Sequence, residues 1–67
     1  MNERTKERLD FIFGQLYKGV LEPDYVYASY MYGQAEAFTD ALYCERLIAD
    51  EERDVYTTES DRVYYKL

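Results

Sequence analysis

The stretch Tyr25-Val26-Tyr27-Ala28-Ser29-Tyr30-Met31-Tyr32 decides the fold class of this chain. Aromatic and β-branched residues dominate it, so by intrinsic preference it reads as a strand, with Gly33 at its end. The residues that follow favour a helix. Met31, Ala35, Phe38, Ala41, Leu42, Ile48 and Ala49 fall on one side of a single helix over 24–48, with Tyr27 and Ala28 flanking. That stripe passes through Gly33 without a phase break, although Gln34 and Glu45 intrude on it. Glu22-Pro23-Asp24 gives the start: proline suits the first turn of a helix, and Asp24 suits the positive end of its dipole. Helix is the better description of the stretch.

Upstream, Leu9, Ile12, Phe13, Leu16, Tyr17 and Val20 form a wide apolar stripe at helical spacing and predict a helix over 3–18. Asn2 or Thr5 suits its N-cap, Glu3 and Glu7 suit its first turns, and Lys18-Gly19 reads as its end. Gly14 inside it costs ~1 kcal/mol against alanine, which a close approach of another helix would justify. Downstream, Asp50 reads as an N-cap with Glu51 and Glu52 in the first turn, opening a third helix over 51–65. Tyr56, Ser60, Val63, Tyr64 and Leu67 keep helical spacing there. The alternative is a β-hairpin over 55–67, with Val55–Thr58 against Arg62–Leu67 about Glu59-Ser60-Asp61. A lone two-stranded hairpin is marginal in water. The expectation is an all-α chain, a small three-helix domain over residues 1–67.

Composition bounds the function. The chain has 67 residues, 48% of them hydrophobic and 33% charged, which is enough apolar material for one folded domain. It contains no His and one Cys. Ser-His-Asp and Cys-His mechanisms and His-containing zinc sites are therefore excluded within one chain, as is an internal disulfide. Fourteen acids against eight bases give a net charge of −6. Such a surface repels nucleic acid, whose phosphates need basic partners. The acidity is concentrated: residues 1–20 sum to +1, residues 21–61 to −9 and the last six to +2. The charged N-terminus lacks the apolar core of a signal peptide, and no run approaches the ~18 apolar residues of a membrane span. The expected location is cytoplasmic, with Cys44 reduced.

Nine tyrosines are the loudest feature, four of them at Tyr25, Tyr27, Tyr30 and Tyr32. Spread around a helix axis, these four cannot all hide in one packed face. They read either as the rim of a small core or as anchors for a partner, since tyrosine is enriched at protein interfaces. The run Asp50-Glu51-Glu52-Arg53-Asp54, with Glu59 and Asp61 beyond, admits three readings. It is a capped helix start, an acidic surface that steers toward a basic partner, or a divalent-cation site. The last lacks EF-hand spacing and its central glycine. Paired carboxylates without a desolvated pocket argue against an enzyme. Cys44, near Ala37, Ala41 and Ile48 on the second helix, reads as a small packing residue. Arg4, Lys6 and Arg8, interleaved with Glu3, Glu7 and Asp10, read as a solvated face of local ion pairs.

In size, acidity and lack of catalytic residues the chain looks like the small proteins that phages and plasmids encode against host defences, anti-CRISPR proteins and DNA mimics among them. That resemblance of class implies a non-enzymatic inhibitor without cofactor or metal, whose partner is a protein, such as a nucleic-acid-binding enzyme with a basic surface. The expected binding residues are Tyr25, Tyr27, Tyr30, Tyr32, Glu36, Asp40, Asp50, Glu51, Glu52 and Asp54. The alternative is a self-associating helical dimer, because a single core of this size supplies only ~3–5 kcal/mol of stability. Phe11 and Leu47, off the main stripes, would mark its seam.

Overall fold

The computed structural model describes residues 1–66 and consists of three helices: α1 (Glu3–Leu21), α2 (Tyr25–Cys44) and α3 (Asp50–Tyr64). Among the described residues there is no strand, so the β-hairpin over 55–67 does not form, and the ambiguous stretch 25–32 is helical. Leu67, placed above at the end of the tail's helical spacing, lies outside the described residues. No helix is long and apolar enough to cross a membrane among the described residues.

α1 starts at Asn2, whose side chain accepts from the Thr5 amide at 2.8 Å. It runs three residues past the expected stop at Lys18-Gly19. Gly19 does not end the helix. It is buried, and a Cβ built on it would lie 3.0 Å from the Ala28 backbone. The close approach expected at Gly14 is therefore at Gly19, whereas Gly14 faces open space. α2 is capped by Asp24, whose side chain accepts from the Tyr27 amide at 3.0 Å. Pro23 consequently sits just outside the helix rather than in its first turn.

α2 ends at Cys44, short of the expected 48. Arg46 adopts φ 60°, the Arg46 amide donates to the Tyr43 carbonyl at 3.0 Å, and the Leu47 amide donates to the Leu42 carbonyl at 2.9 Å. This is the Schellman closure of a helix with arginine in the left-handed position that usually holds glycine. α3 then begins one residue before expectation. Its N-cap is Ala49, which offers no side-chain acceptor, and Asp50 lies inside the helix. The Glu52 carboxylate reaches back to the Ala49 amide at 3.1 Å, so Glu52 supplies half of a capping box.

α2 lies between the other two helices. Ile12 and Leu16 of α1, Met31 and Ala35 of α2 and Val63 of α3 form one buried cluster. Leu9, Leu42 and Ile48 form a second at the other end. Ile48 reaches that core from the turn, not from α2, while Ala41 and Ala49 of the expected stripe are exposed. Two polar residues, Thr39 and Ser60, are buried in their place.

The two glycines of α1 separate packing from propensity. Gly19→Ala is expected to destabilise the domain by about 1–3 kcal/mol, because the added methyl forces α1 off Ala28. Gly14→Ala should stabilise it by up to ~1 kcal/mol. Arg46→Gly should also stabilise it, by about 1 kcal/mol, through relief of the left-handed backbone. Urea unfolding followed by far-UV circular dichroism reads all three.

Candidate interaction surface

The seam between α2 and α3 is edged by polar pairs at successive turns. The Tyr32 hydroxyl donates to Asp61 Oδ1. One turn on, the buried Ser60 hydroxyl donates to Glu36 Oε1 at 2.7 Å. Arg53 then lies 3.6 Å from Asp40, with its guanidinium 4.6 Å from the Tyr43 ring centroid. Asp50, at the start of α3, faces the Tyr43 hydroxyl and raises its pKa. Helical spacing accounts for the row. Tyr25, Tyr32, Glu36, Asp40 and Tyr43 recur along one side of α2, and Asp50, Asp54 and Asp61 recur along one side of α3. Five carboxylates (Glu36, Asp40, Asp50, Asp54 and Asp61) thus share one face. Among the described residues, Arg53 is the one cation in salt-bridge contact with any of them. Successive acids on the same helix four residues apart are separated by ~6 Å along its axis.

Aromatic rings close one end of this face. Tyr32 and Tyr64 stack at 4.4 Å with planes 9° apart, and Tyr65 meets both edge-on at 5.9 and 5.2 Å. The hydrogen bond to Asp61, reinforced by burial, pushes the Tyr32 hydroxyl above its ordinary range, so it stays protonated and donating.

The opposite seam, between α1 and α3, is held by a second polar group. Tyr17 donates to Glu59, and Arg62 donates to Glu59 at 2.6 Å and to the Tyr17 oxygen at 3.1 Å. Below it lies an open cleft of about 250 Å³ lined by Leu9, Phe13, Val55 and Tyr56. The hydrogen bonds from Arg62 and Tyr17 pull the Glu59 carboxyl down to about 2. That is the wrong direction for a general acid or base near neutral pH, which needs a raised carboxyl. A larger depression of about 570 Å³ at the α2–α3 turn is lined by Tyr43, Cys44, Ile48 and Asp50. Cys44 is exposed there and not the packing residue its sequence neighbours suggested. Among the described residues no group of three His, Cys, Asp or Glu is placed to hold a metal ion.

The residues singled out from sequence divide among several surfaces. Tyr25, 61% exposed, and Tyr32 belong to the acidic face with Glu36, Asp40, Asp50 and Asp54. Tyr27 turns toward α1, where its hydroxyl donates to Gln15. Tyr30, 60% exposed, points to the far side of α2. Glu51 is exposed on α3, and Glu52 is engaged in capping. Phe11 is exposed on α1 with the Arg8 guanidinium 5.7 Å from its ring centroid, and Leu47 is exposed in the α2–α3 turn. Asp61 and Ser60 were not among the expected binding residues. The signal for Asp61 was its position seven residues after Asp54, two turns along the same side.

Compared with protein-family profiles, with curated proteins and with solved structures, the chain matches none.

Because the fold favours ionised Glu59, its contribution to stability is complete above the ordinary carboxyl value of 4.5 and is lost as pH falls toward 2. The group is partly solvated, so the effect is modest. Glu59→Gln is expected to flatten the stability profile between pH 4.5 and 2, measured by urea midpoints across that range.

Proposed function

We propose that this chain is a small non-enzymatic protein that binds another protein through the acidic α2–α3 face and thereby inhibits it. The observation that carries this reading is the grouping of Glu36, Asp40, Asp50, Asp54 and Asp61 on one face with Arg53 as their counter-ion. Like charges held this close are unfavourable in the isolated molecule and become favourable against a basic surface. Regular turn-by-turn spacing of carboxylates suits a partner that otherwise receives phosphates, so a nucleic-acid-binding enzyme of the kind that phage and plasmid inhibitors target is the best candidate. Tyr25 is the exposed aromatic anchor at the edge of that face.

The test is recovery of partners from lysate of the source cell with tagged protein, washed at increasing salt. A basic nucleic-acid enzyme should co-purify at low salt and be released as salt rises. The variant Asp50→Lys/Asp54→Lys should recover at least tenfold less of it while retaining the helical spectrum. Glu52 is left intact in this test because it caps α3. Partner recovery that is indifferent both to salt and to these reversals would contradict the proposal.

A further inference from the structure

The chain has nine tyrosines and no tryptophan, so its phenols carry the aromatic oxidation chemistry. Most of them stand apart from one another. Tyr25 and Tyr30 are exposed, Tyr27 is turned onto Gln15, and Tyr17 donates to Glu59. Among the described residues, only Tyr32, Tyr64 and Tyr65 bring tyrosine rings together. Tyr32 of α2 and Tyr64 of α3 lie face to face, with centroids 4.4 Å apart and planes 9° from parallel. Carbons of one ring are therefore in van der Waals contact with carbons of the other. Tyr65 stands instead at 73° to Tyr32 and 76° to Tyr64. The hydroxyl of Tyr32 already donates to a base, the Asp61 carboxylate. Tyr32 and Tyr64 are both half-buried, which favours reaction with each other over reaction with a second molecule.

We infer that Tyr32 and Tyr64 form an oxidative cross-linking site, at which a one-electron oxidant of the kind peroxide-driven haem enzymes generate joins the two rings and staples α2 to α3. Each phenol gives one electron to the oxidant and loses one proton. The Tyr32 proton passes along its hydrogen bond to Asp61, and the Tyr64 proton passes to water. The unpaired electron of a phenoxyl radical occupies π orbitals at the oxygen and at the ring carbons ortho and para to it. Rings lying face to face let two such orbitals overlap, whereas Tyr65 presents its own nearly at right angles. A carbon–carbon bond forms between one ortho carbon of each ring. The hydrogen on each of those carbons then shifts to the phenol oxygen, and both rings regain aromaticity. The net change is the loss of two electrons and two protons, with which one hydrogen peroxide becomes two waters. Tyr64 is the final residue of α3, and helix ends fray, which lets the joined rings splay apart. With one cysteine the chain has no internal disulfide, and a bond from residue 32 to residue 64 constrains the unfolded state as a disulfide does.

The test uses the protein alone, so its outcome is separate from that of the proposed inhibitor role. Protein with the exposed Cys44 alkylated is oxidised at low micromolar concentration by light, ruthenium tris-bipyridine and persulfate, with persulfate as the final electron acceptor. The expected product is a monomer on a denaturing gel, lighter by two hydrogens and showing dityrosine fluorescence. Products joined between molecules through exposed Tyr25 or Tyr30 run as dimers and are separated from it. Trypsin should release residues 19–46 bonded to residues 63–66, and fragmentation should place the bond between Tyr32 and Tyr64. Tyr64→Phe keeps the stacked ring but removes the phenol, and should lower the yield at least tenfold with an unchanged helical spectrum. Tyr65→Phe should leave the yield within twofold, and concentrated urea should lower that of the wild type at least tenfold. No such monomeric product, an unchanged yield in Tyr64→Phe, a bond mapped to Tyr65, or equal yields in buffer and urea would each overturn the inference.

Discussion

Gly19 against Ala28 is the contact on which the rest of the molecule depends. With no side chain on one helix and a methyl on the other, the α1 and α2 backbones meet near the turn that joins them. That spacing brings Ile12 and Leu16 of α1 onto Met31 and Ala35 of α2, where α3 lays Val63 over them. A domain of 67 residues has little other apolar material, and losing one such layer removes much of a marginal stability.

From that packing follows a division of the surface. The inner side of α2 is consumed by α1 and α3, so its flanks meet α3 along the polar seam from Tyr32 to Tyr43. The half-buried acids on this seam do not repel their way apart, because each has a donor from the facing helix: Tyr32 of α2 for Asp61 of α3, and Ser60 of α3 for Glu36 of α2. The outer ones, Asp50 and Asp54, stay exposed. A fold built for stability alone would not gather five carboxylates there, since surface ion pairs contribute little and like charges cost. The proposed recognition role accounts for that concentration of negative charge.

The existence and order of the helices were legible in the sequence because apolar spacing is a strong signal over fifteen to twenty residues. Helix ends were legible only where the usual residues do the capping. Asn2 is such a residue, whereas Asp24, read as part of the first turn behind Pro23, is itself the cap. The end of α2 was not, because Arg46 takes the left-handed position without being glycine. Nor was the start of α3, where an alanine cap is served by Glu52. Gly19 carries the same letter whether it stops a helix or lets one approach, and only the position of Ala28 decides. Of the candidate site, the acids could be named from sequence, but not their sharing of a face with Tyr32 and Asp61, which needs the α2–α3 register. The tyrosine cluster dispersed for a related reason: residues 25, 27, 30 and 32 are close in sequence and point in different directions around a helix.

The most direct measurement is a solution nuclear Overhauser experiment on isotopically labelled protein, reading the pair formed by the Gly19 α-protons and the Ala28 methyl. The account predicts one of the strongest long-range cross-peaks in the spectrum, accompanied by contacts from Leu16 to Met31. Absence of that cross-peak in protein that is otherwise helical would contradict the packing of α1 on α2 and, with it, the core layer that Val63 of α3 closes.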